Sequence, residues 1–144
     1  MGMKITICGS MSVAKKMYEV YKTLTKKGHQ VFLPEFVIEY INGNLSWELG
    51  TLTPEEGAEK KKNHNLIRKH YRKIQESDAI LVVNEEKNGI KNYIGANTLI
   101  EIAFAYVLRK KIYLLNSIPD FEYLLEELKA MEPIVLNGNL DRIQ

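Results

Sequence analysis

The chain has 144 residues, 45% of them hydrophobic and 26% charged, with a formal net charge of +2. This fits one globular domain, 1–144, long enough to bury a core, and composition points to neither nucleic acid nor membrane. The single cysteine, Cys8, excludes an intramolecular disulfide framework and suits a reducing compartment.

No apolar run reaches the roughly 18 residues of a membrane span. Met1 to Gly9 lacks the pattern of a signal peptide, so a cytoplasmic location is expected. "KITIC", Lys4 to Cys8, reads as a strand, and "GSMS" breaks it. Val13 to Lys27 reads as a helix, because Met17, Val20, Tyr21 and Leu24 recur at helical spacing, with Gly28 as its cap. "QVFLP" follows as a second strand, completing a β–α–β unit of about 30 residues. Glu35 to Gly57 has poor periodicity and reads as a long functional loop, with a short helical piece near Val37 to Tyr40.

Pro54 to Gln75 reads as a polar helix start running into a helix striped by Leu66, Ile67, Tyr71 and Ile74. "DAILVVN", Asp78 to Asn84, has the continuous apolar character of a strand covered on both faces. A loop with a turn at Asn88-Gly89 leads to a helix capped by Asn97. "KIYLLN" is a fourth strand, Phe121 to Met131 a helix, and "PIVL" a short fifth strand. The alternation predicts an α/β fold, a flavodoxin-like or Rossmann-like parallel sheet in the order 2-1-3-4-5 flanked by helices. Ligands of such sheets bind beyond the strand C-termini at the switch point between strands one and three. Gly9, Ser10, Met11 and Ser12 stand at one of those ends, and Asn84 at the other.

The third major helix holds one carboxylate, Glu101, in the otherwise apolar run "NTLIEIAFAYVL". A helix apolar all round is buried on every side, and a buried carboxylate without a partner costs several kcal/mol. Placed early in a helix facing the ligand edge, Glu101 is favoured as an anion by up to about 1 kcal/mol. A desolvated, positioned carboxylate is what covalent catalysis at a sugar anomeric carbon uses. The alternative is a structural Glu satisfied by orphan N–H groups or a nearby Lys.

Gly9, Ser10 and Ser12 at the strand-to-helix junction suit a phosphate or carboxylate, or else form a plain turn with Ser as N-cap. The basic run Lys60 to Lys73 reads as a solvated face, with attraction of nucleotide phosphates or nucleic acid the lesser reading. His64 and His70 fall on different helix faces and give no metal pair, so no metal or organic cofactor is expected. Asp78 is expected to be structural. Trp47 is either a base-stacking group or a packing anchor, and Asn92 and Tyr93 are candidates for a pocket wall.

"ICGSM", "SDAILVV" and "IEIAFAYVLRKKIYLL", in that order, resemble the nucleoside 2-deoxyribosyltransferase family, which includes the deoxynucleoside 5′-monophosphate N-glycosidases. The resemblance runs from about Lys4 to Asn116. It implies an enzyme acting on the N-glycosidic bond of a nucleoside or nucleotide, with Glu101 as nucleophile, no cofactor, and assembly into a homodimer or larger homo-oligomer. It also implies sugar or phosphate contacts from Gly9, Ser10, Met11 and Asn84, with Gly95, Asn97 and Thr98 beside the nucleophile. Where the family carries an Asp for proton transfer, this chain has His70, whose ordinary pKa near neutrality suits a general acid. Where the family tends to carry a Tyr near the end of the first strand, it has Thr6. "YIGANTLI" lacks the acidic residue of the transferases and is closer to the nucleotide hydrolases. A non-catalytic nucleotide-binding or sensor domain on the same fold is the competing reading.

Overall fold

The computed structural model describes residues 2–45 and 52–144. Five parallel strands form one sheet in the order β2-β1-β3-β4-β5: β1 (Lys4–Cys8), β2 (Gln30–Phe32), β3 (Ala79–Val82), β4 (Lys111–Leu114) and β5 (Ile134–Val135). In register, Ile5 lies beside Ala79 and Cys8 beside Val82, so the C-terminal ends of β1 and β3 meet at the switch point. Strand order and direction are those expected from the alternation of apolar runs.

The three central strands, β1, β3 and β4, feed two cores, because successive side chains point to opposite faces. On one face Ile5, Ile7, Leu81 and Tyr113 pack with Ala14, Met17, Val20 and Leu24 of α1 (Ala14–Lys26). On the other, Cys8, Ile80, Val82 and Leu114 pack with residues of three helices. These contribute Ile74 from α4 (Leu66–Glu76), Ile102 and Ala105 from α5 (Ala96–Val107), and Leu128 from α6 (Glu122–Ala130).

A 3₁₀ turn at Met11–Val13 leads into α1. Gly28 follows the capping residue Lys27 at φ +95°, with His29 N–H donating to the Leu24 carbonyl at 3.1 Å, a left-handed helix stop that glycine adopts without strain. The long loop holds α2 (Val37–Ile41), entered through Phe36 in the left-handed region at φ +73°.

The stretch read as one continuous helix from Pro54 is two. The first, α3 (Pro54–Asn63), starts on a capping box: Glu56 N–H donates to Thr53 Oγ1 at 3.1 Å, and Thr53 N–H donates to Glu56 Oε1 at 3.0 Å. The chain then breaks at Asn65, φ +53°, a residue type that tolerates the left-handed conformation. Asp78 is structural, as expected. Its carboxylate accepts from Lys4 N–H at 2.8 Å and its own N–H donates to the Lys4 carbonyl at 2.8 Å, pinning the start of β3 to β1.

Two expectations for α5 are corrected. The helix begins two residues earlier than expected, capped by Gly95 with no side-chain hydrogen bond, so Asn97 is inside the first turn rather than at the cap. Nor is the helix buried all round, since Ile100, Tyr106 and Val107 are exposed. No helix among the described residues is long and apolar enough to cross a membrane.

Candidate active site

The buried face of α5 is Thr98, Glu101, Ile102 and Ala105, so the carboxylate occupies a core position. Glu101 is only 3% exposed. It is the sixth residue of the helix, beyond the first turn where the dipole acts, so its ionisation rests on neighbours rather than on the helix end. The neighbour is His70. On α4, His70 stands four residues before the buried Ile74, on the same helix face, which turns its ring inward. An edge-to-face contact between Tyr71 and Phe104, centroids 5.0 Å apart, fixes α4 against α5 at the same level.

His70 Nδ1 contacts Glu101 Oε2. The contact is satisfied when Nδ1 carries the proton and donates it to the carboxylate. Glu101 Oε1 and His70 Nε2 are buried and have no hydrogen-bond partner among the described residues. Each group is thus held at one atom and buried without a hydrogen-bond partner at the other. Burial, reinforced by the positive charge of Lys73, lowers the His70 pKa to about 4 from 6.5, against a smaller opposing effect of the Ile7 backbone. The imidazole is neutral at physiological pH.

The pair forms part of the wall of a cleft of about 430 Å³ between the strand ends, α3, α4 and α5. Of the residues singled out in the sequence, Gly9, Ser10, Met11, His70, Tyr93, Gly95, Asn97, Thr98 and Glu101 all line this cleft. Gly9 is needed for close approach: a Cβ there would lie 3.1 Å from the Val83 carbonyl and 3.2 Å from Met17 Sδ. Ser10 caps the 3₁₀ turn, its Oγ accepting from Ser12 N–H at 3.3 Å and sitting 2.9 Å from Ser12 Oγ. The same Oγ accepts from Lys87 Nζ at 3.3 Å, so the capping serine also carries a cation to the cleft rim.

Asn84 is a correction, because it lies outside the cleft wall. Its Nδ2 donates to the carbonyls of Asn116, 3.0 Å, and Ser117, 2.9 Å, while Oδ1 accepts from Asn116 N–H at 2.9 Å. Every polar atom of that side chain serves to join the ends of β3 and β4. Asn92 is likewise outside the wall. Thr6 turns to Ser77, with hydroxyls 2.7 Å apart, and takes no part in the site. Trp47 lies outside the described residues. His64 stands edge-on to Phe36, centroids 5.1 Å apart, away from His70's partner.

One cation of the wall, Lys87, carried no signal in the sequence, and others come from the run whose lesser reading is attraction of nucleotide phosphates. Lys87 sits in a loop, 5.0 Å over the Tyr93 ring. Lys69 and Lys73 belong to the run read as solvated, yet both line the cleft. Lys73 Nζ donates to the Leu33 carbonyl at 3.3 Å, and Lys69 Nζ lies 4.0 Å from Glu35 Oε1. A helical charge run has an inner edge, and only the packing angle of α4 reveals which lysines form it. The lysines give the cleft a positive field suited to an anionic ligand.

No protein-family model matches the chain, and no curated protein matches it. Among solved structures, it is similar to a CMP N-glycosidase of Clostridium botulinum at 18% identity and a TM-score of 0.51, over 92% of this chain and 84% of that one. The two share a fold.

Proposed function

We propose that this chain cleaves or transfers at the N-glycosidic bond of a (deoxy)nucleoside or its 5′-monophosphate through a glycosyl-enzyme intermediate on Glu101. The observation that carries the proposal is the carboxylate itself: buried at the cleft wall, oriented through Oε2 by His70, with Oε1 unengaged. A nucleophile needs one oxygen held and one available, whereas a structural carboxylate is bonded at both. The fold shared with an N-glycosidase is in keeping with this chemistry.

In the first step a lone pair of Glu101 Oε1 forms a bond to C1′. The C1′–N bond breaks, and its electrons leave with the base, which takes up a proton. In the second step water or another base attacks C1′ from the vacated side, the carboxylate departs, and the anomeric configuration is retained. His70 is the candidate acid/base: its own proton sits on Nδ1 against Glu101, so Nε2 takes a proton from cleft water and passes it to the leaving base. Ser10 and Lys87 at one rim, with Asn97 and Thr98 on the first turn of α5, are assigned to sugar and phosphate. The exposed apolar residues Tyr106 and Val107 of α5 support the homo-oligomer part of the reading, and the single buried cysteine accords with a cytoplasmic location.

The engagement of Glu101 by His70 also favours a second reading, a nucleotide-binding domain without turnover in which Glu101 holds ribose hydroxyls. One experiment separates the two. The protein is incubated with a panel of nucleosides and 5′-monophosphates, with and without a free acceptor base, beside Glu101→Gln. The enzyme reading predicts base release or exchange by the native chain and a fall of at least about 10³-fold in Glu101→Gln, with nucleotide-induced thermal stabilisation retained. Stabilisation by nucleotide with no turnover of any panel member gives the binding reading instead.

A further inference from the structure

The residue beneath the His70–Glu101 pair belongs to neither catalytic role. Cys8 ends β1 and is fully buried, on the sheet face covered by α4 and α5. One ligand-capable atom each from Cys8, His70 and Glu101 lies within 4.8 Å of the others. Three elements therefore deliver a thiol, an imidazole and a carboxylate to one point. The Glu101 side chain is 4% exposed and retains an oxygen with no partner among the described residues, so the cluster has unspent donor capacity where water is scarce.

We propose that Cys8, His70 and Glu101 form a three-ligand site for a thiophilic divalent cation of the zinc class. Sulfur, nitrogen and oxygen in this combination suit zinc, with bonds of about 2.3 Å to sulfur and about 2.0–2.2 Å to nitrogen and oxygen. Ligand atoms around a tetrahedral zinc stand roughly 3.5 Å apart, so the cluster closes by about 1 Å, a side-chain adjustment. The fourth position opens toward the cleft, which His70 and Glu101 line and through which the ion arrives. As the metal–sulfur bond forms, the Cys8 thiol proton passes to cleft water, and the proton shared by His70 and Glu101 gives way to the metal on one or both atoms. The ion then occupies the open oxygen of Glu101. It is an inhibitor of the cleft's chemistry rather than its cofactor, and the site stands whether or not the chain turns over a nucleotide.

Cobalt(II) is the probe. Cys8 is the only cysteine of the chain, so any thiolate-to-cobalt charge-transfer band comes from it. Chelator-treated protein titrated with Co2+ should develop that near-ultraviolet band, with the visible bands of a tetrahedral site, to an end point of about one ion per chain. Added Zn2+ should bleach it. Glu101→Gln should keep the band and weaken binding by at least about tenfold. Cys8→Ala and Cys8→Ser, each checked for native melting, should lose it. Cobalt absorption without a sulfur component overturns the site, as does a band that survives both cysteine substitutions.

Discussion

Glu101 and His70 share one hydrogen bond and leave one oxygen and one nitrogen unspent, and their pH behaviour follows from that. The folded His70 binds a proton only near pH 4, whereas the unfolded residue binds one near 6.5. Between those values the unfolded chain holds more protons, so this residue makes stability rise with pH across the window. Its contribution is complete above about 6.5 and is lost as the pH falls toward 4. The effect is on the order of a few kcal/mol. Urea midpoints between pH 4 and 7 should therefore fall on acidification, and His70→Gln, which keeps an N–H for Glu101, should flatten that slope. An unchanged slope would show that the imidazole takes up its proton in the folded state without penalty. The carboxylate was legible in the sequence, because one Glu among apolar residues on a helix conflicts with its surroundings. Its partnership with His70 was not, since the two lie on different helices and nothing in the spacing along the chain brings them together.

Strand and helix ends account for most of the differences between sequence and structure. Asn84 stands just past β3, at the ligand edge, and sequence alone cannot distinguish an asparagine aimed at a ligand from one that bridges two strands. The structure assigns it to the bridge, with three side-chain hydrogen bonds to Asn116 and Ser117. Asn84→Ala should leave those backbone groups unsatisfied and cost roughly 2–4 kcal/mol in urea unfolding, with little change in nucleotide affinity. A fall in affinity at unchanged stability would return Asn84 to the cleft. The break at Asn65 was equally hidden, because α3 buries no side chain, so no apolar stripe crosses the break to show a change of phase, and only the left-handed backbone of Asn65 marks it. Cys8 was unreadable for a different reason. Within a strand buried on both faces, inward alternation looks the same whether a side chain meets only core or also the underside of a site.

The order 2-1-3-4-5 was fully legible, because long apolar runs separated by helical periods leave few topologies once crossovers are right-handed. That topology collects Ser10, His70, Asn97 and Glu101, drawn from three separated stretches of chain, around one cleft. Turnover in this cleft passes through a covalent bond between Glu101 and the sugar, as proposed above. The direct measurement uses the best substrate from the panel, made with fluorine at C2′ so that the electron-poor sugar slows release of the intermediate. Intact-protein and peptide mass spectrometry then locate the adduct. A Glu101 nucleophile should give a mass increase equal to the fluorinated glycosyl group on the peptide bearing Glu101, absent in Glu101→Gln. Base release without any adduct, or an adduct on another residue, would contradict it.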